Sequence, residues 1–171
     1  MDAVHIHLVL VHFPIVGILF GLIILAIGLY KKNEVLQKTS LVILVLMALV
    51  TIPVFLSGEG AEETVEHLAG VSETIIENHE ELAEVAIWFM EALGLLSLLG
   101  LVAIKKNLSI KNTVLISTLL FSIVTFGIFA QLGNLGGQIR HSEIRANKAG
   151  TQIEKNNEVE EEHENEKDDD D

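Results

Sequence analysis

Apolar residues fall in four long runs, at about 8–30, 39–57, 82–104 and 113–135, and charged residues fall almost entirely between them. Each run is close to the ~20 residues a helix needs to cross a ~30 Å hydrocarbon core. Helices of a soluble bundle keep a polar face along their length, and these runs have none. The pattern predicts an all-α integral membrane protein with four spanning helices.

Composition and charge add orientation. Half of the 171 residues are hydrophobic and mean hydropathy is +0.47, yet acidic residues number 24 against 11 basic ones. "KKNEVLQK" (31–38) and "KKNLSIKN" (105–112) each carry three lysines, whereas the connection 58–81 carries eight glutamates and no Lys or Arg. The positive-inside rule then places both lysine loops in the cytoplasm. The glutamate-rich connection and both termini are expected outside, which is the periplasm for a bacterial inner membrane. The first run follows Asp2 with no Lys or Arg and exceeds a signal core of ~7–15 residues, so it is expected to remain as a helix. With no cysteine, disulfides, zinc–thiolate sites and iron–sulfur clusters are excluded from this chain. Residues 1–145 form the expected membrane domain, and the acidic stretch 146–171 is expected to be a disordered tail.

The chain also resembles itself at an offset of 74. "KKN" at 31–33 recurs at 105–107, "VTIPVF" at 50–55 aligns with "VTFGIF" at 124–129, and His5 and His67 align with His79 and His141. This predicts an up-down four-helix bundle built as two helical hairpins about a pseudo-twofold axis. "LSGEGAEETVEHLAG" reads as a short amphipathic outer helix after glycine punctuation. "GNLGGQIRHSEIR" (133–145) is expected to turn sharply at its glycines. Gly17 and Gly21 form a GxxxG pair, read as a site of close helix approach.

The segment "HIHLVLVHFPIVG" (5–17) carries three histidines into the first apolar run. With the topology above, His5, His7, His12, His67, His79 and His141 gather at the outer face, and only His163 is elsewhere. Imidazole is a ligand for iron, copper and zinc and an axial ligand of haem. A site for haem b or a transition-metal ion is therefore expected there. At ~100° per residue, His7 and His12 lie ~140° apart on a regular helix. An irregular helix start near Pro14 would free His7 on an entry segment able to fold back; the other reading is that Pro14 merely kinks the helix. Topology alone leaves all six outer histidines as candidate ligands, with Glu84 near enough to be a ligand or to orient an imidazole.

Glu80, Glu84 and Glu91 share one stripe of the third helix. Glu91 falls ~13 Å below Leu82, near mid-membrane, where a carboxylate costs ~2.5–3.5 kcal/mol and marks function or pairing. It is a candidate proton site, with Glu80 above it and Thr51, Thr125 or Gln131 as candidate neighbours.

"HLVLVHFP" (7–14), His79 at the start of the third helix and "GNLGGQIRH" (133–141) resemble motifs of a bacterial family of predicted four-helix membrane proteins, domain of unknown function 2231. The resemblance spans about 5–145 and implies that His7, His12, His79 and His141 are the family's recurring histidines, which makes these four the expected ligands ahead of His67, the residue the 74-residue repeat would favour. The chain departs from the family in lacking proline after His7 and in its glutamate-rich connection. Three functions compete: a haem or metal protein, with electron transfer and a redox or periplasmic protein partner; a proton or ion pathway through Glu91; and a non-catalytic membrane subunit or scaffold. No Ser–His–Asp, Walker or dinucleotide signature points to an enzyme, and nothing points to nucleic acid.

Overall fold

The computed structural model describes residues 3–66, 68 and 71–140. His67, His141, His163 and the acidic tail lie outside the described residues. Among those described, every regular element is a helix: α1 (Ala3–Leu10), α2 (His12–Tyr30), α3 (Glu34–Val65), α4 (Glu73–Lys105) and α5 (Lys111–Arg140).

α1 and α2 are one helix with a fault. Val11 keeps right-handed helical dihedrals, and its N–H reaches the His7 carbonyl at 2.9 Å. Pro14 has no N–H to offer the Leu10 carbonyl, so the ladder breaks one turn upstream. Within α2 the proline occupies the first turn, where a missing donor costs little. α1 runs into it as a helix and not as a separate segment free to fold back, so Pro14 acts as a fault in one helix.

Four helices, counting α1 and α2 as one, are long and apolar enough to cross a membrane. α3 and α4 contain 32 and 33 residues, hence ~50 Å each, against a ~30 Å hydrocarbon core. The excess lies at the end remote from the lysine loops. There the expected separate amphipathic helix is instead the continuation of α3 through Gly58 and Gly60 to Val65. Glutamate and alanine sustain the helix past the apolar run, and two glycines at ~1 kcal/mol each do not stop it. The glycines of 133–137 likewise stay inside α5 and do not turn the chain.

Consecutive helices pack together, α2 also meets α5, and α1 lies on α3. Glycines set the pairing. A Cβ at Gly21 would collide with Leu44, one at Gly94 would sit 2.5 Å from the Ala48 Cβ, and one at Gly100 would sit 3.0 Å from Leu41. As residue numbers rise on one helix they fall on its neighbour, so these pairs run antiparallel. Gly17 and Gly21 are filled by Met47 and Leu44 of α3, which makes the GxxxG pair a packing surface. Bare glycine backbone also exposes carbonyls to α3. Ser40 Oγ donates to Gly21 O at 2.7 Å and Gln37 Nε2 to Gly28 O at 3.0 Å. The outward faces are apolar, with Trp88, Leu56 and Leu95 75%, 69% and 64% exposed, as suits side chains facing lipid.

Both lysine-end turns use the same stop. Asn33 N bonds Gly28 O and Lys32 N bonds Leu29 O; Leu108 N bonds Ala103 O and Asn107 N bonds Ile104 O. Lys32 and Asn107 hold φ of 51° and 48°, the left-handed residue of this helix-ending motif. They are 75 positions apart (107 − 32), so the turns correspond one residue out of step with the 74-residue sequence offset. Asn33 caps α3 by accepting from Val35 N and Leu36 N. Lys111 reaches Glu34 at 3.0 Å, tying the start of α5 to that of α3.

Gly94→Ala forces two backbones apart, because neither Cβ has a torsion with which to yield. Its expected cost is ~1–3 kcal/mol, read as a lower midpoint of thermal unfolding in detergent. Gly127→Ala, where no atom lies within 4 Å of the added Cβ, is the matched control and leaves the midpoint unchanged or higher.

Candidate functional site

Two of the expected histidines sit together at the end remote from the lysine loops. His7 lies ~35 Å along its helix from Tyr30, and His79 lies ~39 Å from Lys105. Both are beyond a ~30 Å apolar layer measured from the lysine end. Each is half-buried, and the rings are close enough for charge on one to act on the other. They arrive on helices from different hairpins, α1 and α4.

His7 is held against α3. Its Nδ1 lies 3.0 Å from Val54 O and 3.1 Å from Ser57 Oγ, and Ser57 Oγ itself donates to Val54 O at 2.8 Å. A carbonyl only accepts, so the proton of a neutral His7 ring is assigned to Nδ1. The Nε2 lone pair is then free, which is the state of a histidine prepared as a metal ligand. Gly58 borders the ring, with its Cβ position 3.5 Å from Cε1.

His79 is held against α5. A Cβ at Gly136 would stand 3.2 Å from His79 Cε1, so the glycine lets the imidazole lie on the helix backbone. The Leu132 carbonyl approaches the ring. Nδ1 is nonetheless buried without a well-formed hydrogen bond, an unusual state for a buried polar atom.

The remaining expected ligands are placed differently. His12 is exposed and its Nδ1 donates to Leu8 O of the preceding turn at 2.7 Å. His12 thus points away from the side of the helix that His7 presents to α3, as the ~140° separation implied. Glu80 and Glu84 are exposed. Glu84 makes no hydrogen bond to a described imidazole, and the groups that orient His7 are Val54 and Ser57. The carboxylates of Glu80 and Glu62 act on one another across α4 and α3. Among the described residues, no three His, Asp or Glu side chains converge as a metal-binding group. His141 falls one residue beyond the described part of α5.

Glu91 is half-buried in α4, and its Oε1 is buried with no hydrogen-bond partner. Phe89 stacks on Phe121 of α5 at 5.4 Å, whereas Gly94 meets Ala48 of α3. Glu91 is ~60° around the helix from Gly94 and ~160° from Phe89, so it lies on the α3 side. Antiparallel register (94 − 3 against 48 + 3) puts it level with Thr51, and neither side chain is bonded to the other. Thr125 and Gln131, the other expected neighbours, belong to α5, and Gln131 lines a surface groove with Asn78, Glu81 and Leu135.

Ser57 and the Val54 carbonyl were not singled out from the sequence. The only available signal was Ser57 closing the second apolar run, and nothing there pairs it with a residue 50 positions earlier.

Four helices of this length and hydropathy define a multi-pass membrane protein. Compared with known proteins, the chain matches no family model, no curated protein and no solved structure.

His7→Ala removes the described side-chain bond that ties α1 to α3. The expected loss is ~0.5–1.5 kcal/mol of local stability. Hydrogen exchange should therefore quicken across 3–10 and stay unchanged in α4 and α5.

Proposed function

We propose that this protein is a bacterial inner-membrane bundle that binds a transition-metal ion at its periplasmic end, with His7 and His79 as the primary ligands. In this reading the four spans form an up-down bundle of two pseudo-repeated hairpins. The lysine loops are cytoplasmic, and both termini lie with the histidines outside. The motif likeness to domain of unknown function 2231 supports the same architecture and adds His141 as a further ligand close to the end of α5. His12 is left as an interfacial residue.

One observation carries the reading: two imidazoles, on α1 and α4, lie near enough at one end for charge on one to act on the other, His7 with Nε2 free and His79 with a buried Nδ1 that lacks a well-formed hydrogen bond. A bound cation gives such nitrogens the partner they lack. The donor chemistry favours copper, zinc or iron. A bare ion is preferred here to haem b, because each ring has its Cε1 edge set close to a glycine of the neighbouring helix, Gly58 or Gly136. A redox-active ion would make this end a station for electron transfer to a periplasmic protein.

The test is metal analysis and titration of full-length protein in mild detergent. Stoichiometric retention or uptake of copper, zinc or iron is expected. His7→Ala and His79→Ala should each weaken binding by at least the roughly 10–100-fold typical of losing even an indirect metal partner. His12→Ala should leave it unchanged. A protein that takes up none of these metals and shows no Soret band overturns the proposal, as does undiminished binding by the His7→Ala, His79→Ala double variant.

A further inference from the structure

We propose that Glu91 is a proton-binding site inside the membrane span, its carboxyl holding a proton that exchanges with water. The residues concerned are distinct from those of the metal reading, and either can fail alone.

The inference rests on what surrounds the carboxyl. Glu91 lies ~21 Å along α4 from Lys105, inside the apolar run 82–104. Its Oε1 is buried and bonded to nothing. The hydroxyls at neighbouring depths are already committed as donors to their own helices. Thr51 donates to Met47 O at 2.8 Å, Ser97 to Leu93 O at 2.7 Å and Thr125 to Phe121 O at 2.9 Å. No Lys, Arg, Asp or Glu faces Glu91 from another helix: α2 has none and its one titratable residue besides the terminal Tyr30, His12, is exposed and bonded to Leu8 O, α3 has none between Lys38 and Glu59, and α5 has none between Lys111 and Arg140. The histidines of α1 are at the far end. An ionised carboxyl only accepts hydrogen bonds, and a lone charge in such surroundings lacks any compensating partner. The one ligand that neutralises the group without further protein atoms is a proton. Intramembrane carboxyls in this situation mark proton or ion routes by default.

Two measurements on the full-length protein in lipid decide it. Infrared spectra of wild type and Glu91→Gln at neutral pH should differ by the carbonyl stretch of one protonated carboxylic acid, present only in the wild type. That band should shift when the folded protein is moved into deuterated water. Dicyclohexylcarbodiimide, which enters lipid and reacts with protonated carboxyls, should label Glu91 in the wild type on peptide mapping, faster at lower pH and independently of sodium. This second experiment needs no variant. Absence of the band shows an ionised group and overturns the proposal. A band that does not shift in deuterated water shows a fixed packing acid and overturns it too. Protection of Glu91 by sodium at constant pH assigns the site to a metal cation and not to a proton.

Discussion

The hydrocarbon layer is the constraint on which this structure depends. It supplies no water for backbone groups, so each crossing segment must satisfy its own N–H and C=O groups as a helix. It also removes the usual drive to bury leucine, because lipid is as apolar as the interior. Helices must then associate by close fit, and the chain supplies that fit with Gly17, Gly21, Gly94 and Gly100 set against Met47, Leu44, Ala48 and Leu41. Large apolar side chains such as Trp88 and Leu95 are spent on the outside.

The same constraint governs the polar residues. Ser97, Thr118, Ser122 and Thr125 are fully buried, yet each hydroxyl donates to a carbonyl of its own helix. These residues are small and internally satisfied, and so belong to packing. Against that background the unsatisfied atoms stand out: Glu91 Oε1 at mid-span and His79 Nδ1 beyond it. Gln37 Oε1 is also unsatisfied, but its amide nitrogen already ties α3 to Gly28. Polar groups that the fold neither exposes nor pairs are where a ligand has something to supply, and that is why the functional reading centres on the two former residues.

The spans were legible in the sequence because hydropathy and helix length respond to the same layer thickness. The break before α2 was legible because Pro14 acts locally. Helix ends were less so. Apolar runs mark where lipid is, but α3 and α4 continue for two turns or more through glutamate-rich stretches, and glutamate favours helix outside lipid as well. Glycines misled for a related reason: at Gly58, Gly60, Gly133 and Gly136 the sequence reads as turns, while the helices run on, and Gly58, Gly133 and Gly136 lie against His7, Ile15 and His79. The gathering of histidines at one end followed from topology. Which of them turn inward depends on helix rotation and on the Val54–Ser57 acceptors, and no local pattern encodes those.

The proposed periplasmic site requires the histidine end of the bundle to face out. The chain has no cysteine, so single cysteines report accessibility without background. Glu63→Cys, exposed on the glutamate-rich extension of α3, and Lys106→Cys, exposed in a lysine turn, should be compared in intact cells with permeabilised outer membranes. A thiol reagent that cannot cross the inner membrane should label position 63 at once, and position 106 only after the cells are lysed. Labelling of position 106 with protection of position 63 would place the histidines in the cytoplasm and contradict the proposed periplasmic metal site.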